Sequence, residues 1–112
     1  MKKLLALLLC GLMHTAANAA TVNVTGKIQM LNSWERHGGL LVKMKAEDMR
    51  KTEGMCERND YYILVNAHRY VERNFSMMLS ARIAEKPITL RFSDDATNKC
   101  VERFPRIFHV AL

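Results

Sequence analysis

The 112-residue sequence predicts a mainly β domain with one helix, in the order β-β-β-α-β-β. Three observations lead to this fold class. Several short segments alternate apolar and polar residues with the period of two that half-buried strands show. One longer stretch, residues 67–85, repeats its apolar side chains at helical spacing instead. The length that remains after a predicted leader suits one domain and not two.

The first two predicted strands form a hairpin. The first covers residues 21–30, with Gly26 expected to mark a bend or bulge. The polar connection at residues 31–39 ends in two glycines, which is typical of a hairpin. The second strand covers residues 40–46. The inward positions of both strands are apolar: Val22, Val24, Ile28, Met30, Leu40, Val42 and Met44.

A charged excursion and a central strand follow. Residues 47–60 have no clean period, and we expect Cys56 to tether them. Residues 61–65, YYILV, lack polar alternation, which predicts a strand covered on both faces. Asn66 then suits a helix cap, with Ala67 or His68 as alternative starts of the helix.

The predicted helix, residues 67–85, has two apolar faces on a wheel of ~100° per residue. The first is a continuous stripe expected in the core: Val71, Phe75, Met78 and Leu79. The second flanks that stripe: Tyr70, Met77 and Ala81. Two interpretations of this flank stay open. It is buried in the chain's own core, or it contacts a neighbouring subunit, because an exposed apolar patch usually marks an interaction site.

Two more strands follow the helix, which Pro87 ends. Residues 88–92 alternate and form the fourth strand. Its inward residues are Ile88, Leu90 and Phe92. Residues 93–102 are expected to be a polar loop that holds Cys100, and residues 106–112 form the last strand.

Five short strands with one helix after the third is the arrangement of the OB-fold, a small and partly open barrel. A more specific resemblance rests on Tyr70, Leu79, Ala81, Lys86-Pro87-Ile88, Cys100, Pro105-Arg106-Ile107 and Val110. Their spacing resembles small exported proteins similar to the B subunit of subtilase cytotoxin, a bacterial AB5 toxin. The resemblance implies an OB-fold, a homopentamer with helices facing a central channel, and sugar binding on the barrel surface. It assigns no sugar-contacting residue and no toxin A subunit to this chain.

The first 19 residues are typical of a secretory signal peptide. A basic start precedes an apolar run at residues 4–13, and residues 17–19 suit cleavage after Ala19. A lipoprotein anchor at Cys10 is the alternative, but the residue before it is not the small one that such cleavage needs. The apolar run is too short to span a bilayer. We therefore expect a periplasmic or secreted bacterial protein whose single domain covers residues 20–112.

Cleavage would leave Cys56 and Cys100 as the only thiols, and an even pair in an oxidising compartment predicts a disulfide. The formal charge of +6 includes Lys2 and Lys3, so the mature chain carries +4. Its positive residues are scattered and not gathered on one face. We therefore expect no nucleic-acid partner.

The sequence contains no recognisable catalytic or metal-binding pattern. His37, His68 and His109 are far apart and lack the short spacings of a zinc site. Asp94-Asp95 fits a solvated turn better than an acid–base pair. We expect no metal, no cofactor and no enzymatic activity.

The connection between the first two strands is the predicted ligand site. Its candidate residues are Asn32, Ser33, Trp34 and Arg36. Sugar sites stack an apolar sugar face on an aromatic ring and fix the hydroxyls with polar groups. OB-folds bind ligands with this loop and with the loop between strands four and five. Trp34 would be the platform, and the alternative is that Trp34 folds back to cap the barrel.

These observations favour a non-enzymatic exported binding module that forms oligomers and has a glycan or a protein as its ligand. The alternative is a monomeric periplasmic inhibitor or accessory protein that acts on one protein partner. The two hypotheses differ in oligomeric state, so the second apolar flank of the helix discriminates between them.

Overall fold

The structure, a computed structural model, describes residues 21–112, and the predicted signal peptide with its Cys10 alternative lies outside them. The described chain forms eight strands, one long helix, one short helix and a 3-10 turn. The elements are β1 (Thr21–Gly26), β2 (Ile28–Ser33), β3 (Gly39–Met44), α1 (Ala46–Met49), the 3-10 turn (Arg50–Thr52), β4 (Tyr62–Val65), α2 (Val71–Ala84), β5 (Ile88–Ser93), β6 (Cys100–Val101), β7 (Phe104–Pro105) and β8 (His109–Ala111). Neither helix within residues 21–112 has the length and apolar character needed to cross a membrane.

The strands form two antiparallel three-stranded sheets and a small hairpin, in the orders β1-β5-β8, β2-β3-β4 and β6-β7. The predicted first strand is divided at Lys27, so one stretch of chain supplies an edge strand to each larger sheet. A parallel bridge between Ile63 and Arg106 links β4 to the segment before β8. The mainly β class is confirmed. The OB-fold itself stays a prediction, because no sheet among the described residues closes into a barrel.

The β2-β3-β4 sheet contributes to two buried hydrophobic clusters, although part of β2 is exposed. The main core draws on both larger sheets and on α2, and the ring centroids of Tyr62 and Phe92 lie 4.5 Å apart within it. The Tyr62 hydroxyl lies 2.9 Å from Thr52 Oγ1, so this buried phenol keeps a hydrogen-bond partner. A second cluster consists of Leu41, Ile63, Val65 and Phe104. All four residues of β4 are buried, which confirms a strand covered on both faces. The predicted central position is wrong, because β4 lies at an edge of its sheet and β3 lies in the centre.

A bulge in β2 reverses the predicted direction of one side chain. The register of β2 against β3 shifts between Ile28 and Met30. Met30 is consequently 45% exposed, and Leu31 packs against the core instead. The prediction that Met30 faces inward is therefore wrong, because an extra residue inverts the alternation beyond it.

The long helix α2 is shorter than predicted at its start. Residues 67–70 form turns, and the Asn66 N–H donates to the Gly38 carbonyl at 2.9 Å, so Asn66 extends the β3-β4 pairing and does not cap the helix. At the other end Glu85 adopts a left-handed conformation with φ of 54°. The Lys86 N–H then donates to the Ala81 carbonyl at 3.0 Å, which satisfies one of the last helical carbonyls before the chain reaches β5.

The buried face of α2 also differs from the prediction. It consists of Asn74, Met78 and Ala81. Phe75 and Leu79, which were expected in the core, are 39% and 37% exposed. The polar Asn74 faces the core. The buried face of the helix is therefore rotated away from the face predicted from its apolar residues. Phe75, Leu79 and Ile83, spaced four residues apart, thus form an exposed apolar row that we call the helix stripe.

The loop predicted at residues 93–102 ends in a small hairpin. Its strands pair Cys100 with Pro105 and Val101 with Phe104. Cys100 is bonded to Cys56 with a Cα–Cα distance of 5.9 Å, which confirms the predicted disulfide. The disulfide attaches the charged excursion to the hairpin.

Candidate functional site

Trp34 lies in the turn after β2 with 49% of its surface exposed, so its indole does not cap the core. The His37 N–H donates to the Trp34 carbonyl at 3.0 Å and closes this turn. The His37 ring meets the edge of Trp34 at a centroid distance of 5.2 Å and packs against the buried Phe104 at 5.5 Å. The His37 ring therefore lies between the indole and the buried Phe104 ring, and the rest of the indole stays exposed to solvent.

Glu102 connects the turn of the β6-β7 hairpin to the turn that carries Trp34. Its Oε2 accepts the Gly38 N–H at 2.8 Å, and its Oε1 lies 3.1 Å from His37 Nδ1. The hydrogen bond from the Gly38 N–H is the main cause that holds the pKa of the Glu102 carboxyl below its usual range, and the hydrogen bond to the His37 ring is the second. Because the ionised carboxylate accepts hydrogen bonds, His37 Nδ1 carries the hydrogen in this contact.

The same hairpin turn is strained. Its two-residue loop consists of Glu102 and Arg103, with φ of 51° and 74°. Such a loop needs left-handed φ at both positions and therefore favours Asn-Gly or Gly-Gly. A side chain with a Cβ costs ~1–2 kcal/mol in this conformation. Strained residues of this kind are concentrated at functional sites, so the turn supports a role for these two side chains.

The Trp34 recess is a cavity of ≈410 Å³ beside the indole. Its lining residues are Trp34, Arg36, His37, Arg58, Glu102 and Arg103. A second hollow of ≈320 Å³ shares Trp34 and His37 with it and also contacts Ser33. The two hollows together give the indole accessible space on more than one side.

The three guanidinium groups of the Trp34 recess differ in their partners. Arg58 donates from Nε to Asp60 Oδ1 at 3.1 Å, and its Cζ lies 4.6 Å from the centroid of the Phe104 ring. Arg103 Nη1 reaches Glu57 Oε1 at 3.5 Å, and both side chains are largely exposed. Arg36 forms no ion pair within the described part of the chain. Arg36 and Arg103 therefore have N–H groups free to bind an anion.

The structure brings three of the four predicted ligand residues to these two hollows, namely Ser33, Trp34 and Arg36. Asn32 pairs with Leu41 within the sheet and lines neither hollow. Arg58, Glu102 and Arg103 belong to no sequence motif that predicts a ligand site. The disulfide was the available signal, because joining Cys56 to Cys100 brings their charged neighbours together.

The predicted subunit interface divides into different environments. Tyr70 is 43% exposed, Met77 is half-buried against the main core, and Ala81 is buried inside it. Ala81 therefore offers no surface to a neighbouring subunit, because its own chain covers it. The large exposed apolar residues of α2 are those of the helix stripe.

Within residues 21–112, no three His, Cys, Asp or Glu side chains are arranged to hold a metal ion. The Trp34 recess instead combines an aromatic platform, cations and hydrogen-bond donors. Comparisons of the chain with protein-family models, with curated proteins and with solved structures give no match.

Proposed function

We propose that this chain is a non-enzymatic binding module for glycans that bear an acidic group, and that the ligand occupies the Trp34 recess. The observation that carries this proposal is the exposed indole of Trp34 beside a ≈410 Å³ cavity lined by three arginines. A cavity of that size lies within the range of small-ligand sites.

The chemistry of the recess favours a sugar with a carboxylate or sulfate. An indole offers a flat apolar surface on which the carbon–hydrogen face of a sugar ring stacks. Guanidinium groups bind carboxylates through two parallel hydrogen bonds. The lining has three guanidinium groups and one carboxylate, and Gly38 and His37 already occupy the oxygens of that carboxylate. Asp60 and Glu57 pair with Arg58 and Arg103, so Arg36, which has no ion pair among the described residues, is the cation that would attract an anion.

The position of the recess supports an OB-like architecture, which we propose for this domain. OB-folds bind ligands with the loop between strands one and two and the loop between strands four and five. β1 and β2 together make up the predicted first strand, so the turn between β2 and β3 corresponds to the first of these loops. The β6-β7 hairpin lies between β5 and β8 and corresponds to the second. The recess is built from both. The parallel bridge between Ile63 and Arg106 is consistent with a partly open barrel that joins the two larger sheets.

We also propose that the protein is exported after cleavage of residues 1–19 and that copies associate through the helix stripe. The disulfide supports the oxidising compartment. Phe75, Leu79 and Ile83 form an apolar row on a surface helix, and a second copy of the chain would remove this row from water. The pentamer implied by the toxin resemblance is one closed form of such an assembly.

Intrinsic fluorescence tests the ligand site directly, because Trp34 is the only tryptophan in the chain. An oligosaccharide with a carboxylate should change the emission in a saturable manner, and a neutral oligosaccharide of the same length should bind at least about tenfold more weakly. Arg36→Ala should weaken binding of the acidic sugar, whereas Arg50→Ala, which removes an arginine outside the recess, should not.

A glycan array with the labelled protein provides a second measurement that does not depend on Trp34 fluorescence. Binding to no glycan, together with capture of one stoichiometric protein partner, would overturn the proposal in favour of the inhibitor or accessory function. Equal binding of acidic and neutral sugars would keep the platform role of Trp34 and refute the role of the arginines.

A further inference from the structure

A second recess lies where the chain enters α2, separate from the Trp34 recess. It has a volume of ≈390 Å³ and is bounded by the turn at residues 67–70 and by the segment 106–109. We propose that this helix-start recess binds a small amphipathic carboxylate, meaning an aliphatic or aromatic body that ends in one carboxylate group.

The walls of the helix-start recess are aromatic and open to solvent. Tyr70 is 43% exposed and Phe108 is 53% exposed, although each contributes a large apolar ring to the same concave surface. Singly exposed apolar side chains are common, but two aromatic rings lining one cavity give an apolar ligand a surface to bury. This accounts for the apolar body of the proposed ligand.

His68 holds the two walls in a fixed relation. Its Nδ1 accepts the Tyr70 backbone N–H at 3.0 Å, and its Nε2 lies 3.1 Å from the Phe108 carbonyl oxygen. An acceptor at Nδ1 leaves Nε2 as the nitrogen that carries the hydrogen, so Nε2 donates to Phe108. The His68 ring thereby joins the start of α2 to the segment before β8, and the recess is preorganised for a ligand.

The charged groups that line this recess are the guanidinium groups of Arg69 and Arg106, and no carboxylate lines it. The His109 ring also lines the recess. Arg73 adds a further guanidinium, whose Cζ lies 4.1 Å from the centroid of the Tyr70 ring. Glu72, the nearest acidic residue in the sequence, lines the adjoining groove instead. Apolar walls with a one-sided positive rim favour an anion with an apolar body over a polyhydroxylated sugar or a metal cation.

Octanoate is a suitable probe, and nitrogen-15 NMR of the purified protein both detects and locates its binding. Octanoate should give saturable shifts at residues 67–70 and 106–109 with one-to-one stoichiometry. Octanamide has the same chain without the charge and acetate has the charge without the chain, so each should bind at least about tenfold more weakly. Phe108→Ala and Arg106→Gln should each weaken octanoate binding about tenfold, and Arg50→Gln should leave it unchanged.

The variants also distinguish misfolding from loss of the site, because a folded variant keeps the dispersed resonances of the remaining residues. Equal affinity for octanoate and octanamide would overturn the role of the cations. Octanoate shifts at Trp34 in place of residues 67–70 would overturn the location. A peptide that binds these residues through its C-terminal carboxylate while octanoate does not would overturn the small-molecule ligand in favour of a protein partner. Absence of any binding would refute the site.

Discussion

Replacing Arg103 with glycine should stabilise the fold and weaken ligand binding at the same time. Arg103 occupies the second position of the β6-β7 turn with φ of 74°, where glycine is the preferred residue. Its contact with Glu57 is 3.5 Å long between two exposed side chains, so removing it costs almost nothing. The substitution therefore tests whether the turn retains an unfavourable residue for the sake of the recess.

The expected gain follows from two opposing terms. Relieving the left-handed conformation contributes ~1–2 kcal/mol. The greater flexibility of glycine in the unfolded chain offsets ~0.5–1 kcal/mol of that gain, because this freedom is lost on folding. The net gain in the free energy of unfolding is about 0.5–1 kcal/mol, which raises Tm by a few degrees, since a domain of this size shifts by ~4–8 °C per kcal/mol. Loss of one guanidinium should weaken binding of an acidic glycan about tenfold.

Two control variants separate the terms. Glu85→Gly relieves a positive φ of 54° at the end of α2, outside the Trp34 recess, and should raise Tm by a similar amount with no change in binding. Arg103→Lys keeps both the charge and the strained backbone, so Tm should stay constant while binding falls only partly. Differential scanning calorimetry and Trp34 fluorescence measure the two quantities on the same samples.

If Arg103→Gly lowers Tm while Glu85→Gly raises it, the hairpin turn is not strained in the way proposed. If Arg103→Gly raises Tm and leaves binding of the acidic glycan unchanged, Arg103 has no part in the ligand site.

Three further predictions concern stability and assembly. Cys56→Ser should reduce the free energy of unfolding by about 4 kcal/mol, because the disulfide closes a loop with a sequence separation of 44; an unchanged urea midpoint would contradict this. The pKa of Glu102 is lowered from its ordinary value of 4.5, so the ionised carboxylate stabilises the fold at pH values above 4.5. This contribution is lost as the pH falls through the folded-state pKa. The stability difference between wild type and Glu102→Gln, from urea unfolding at several pH values, should therefore shrink with acidification, and a constant difference would count against the role of the charge. Leu79→Glu combined with Ile83→Glu should lower the mass found by light scattering to that of a monomer, and an unchanged oligomer would exclude the helix stripe as the interface.

The elements that the sequence predicted correctly are those set by local pattern. Residues 88–92 alternate strictly, and Ile88, Leu90 and Phe92 are all buried. The number of cysteines and the predicted compartment were enough to predict the pairing of Cys56 with Cys100. The strand follows from the alternation of apolar and polar residues, and the disulfide follows from the number of thiols. Neither depends on how distant elements pack.

The elements that it missed depend on tertiary contacts that override local pattern. The bulge that exposes Met30 arises in the pairing of β2 with β3. Asn74 is polar and still faces the core, which turns Phe75 towards solvent. The β6-β7 hairpin escaped detection because Glu102 and Arg103 stand where a hairpin signature would have Asn-Gly. The residue types that hid the hairpin are also those that line the recess.

Glu102 has a different role from the arginines around it. An acidic residue would repel an anion from the proposed ligand recess, yet both Glu102 oxygens already have partners in Gly38 and His37. The carboxylate therefore serves to fix the turn beneath Trp34, and its charge is partly balanced by the N–H groups that it accepts. Glu102→Gln should accordingly loosen the indole and weaken binding of neutral and acidic sugars alike. Arg36→Ala should weaken binding of the acidic sugar alone, and this contrast separates positioning of the platform from recognition of charge.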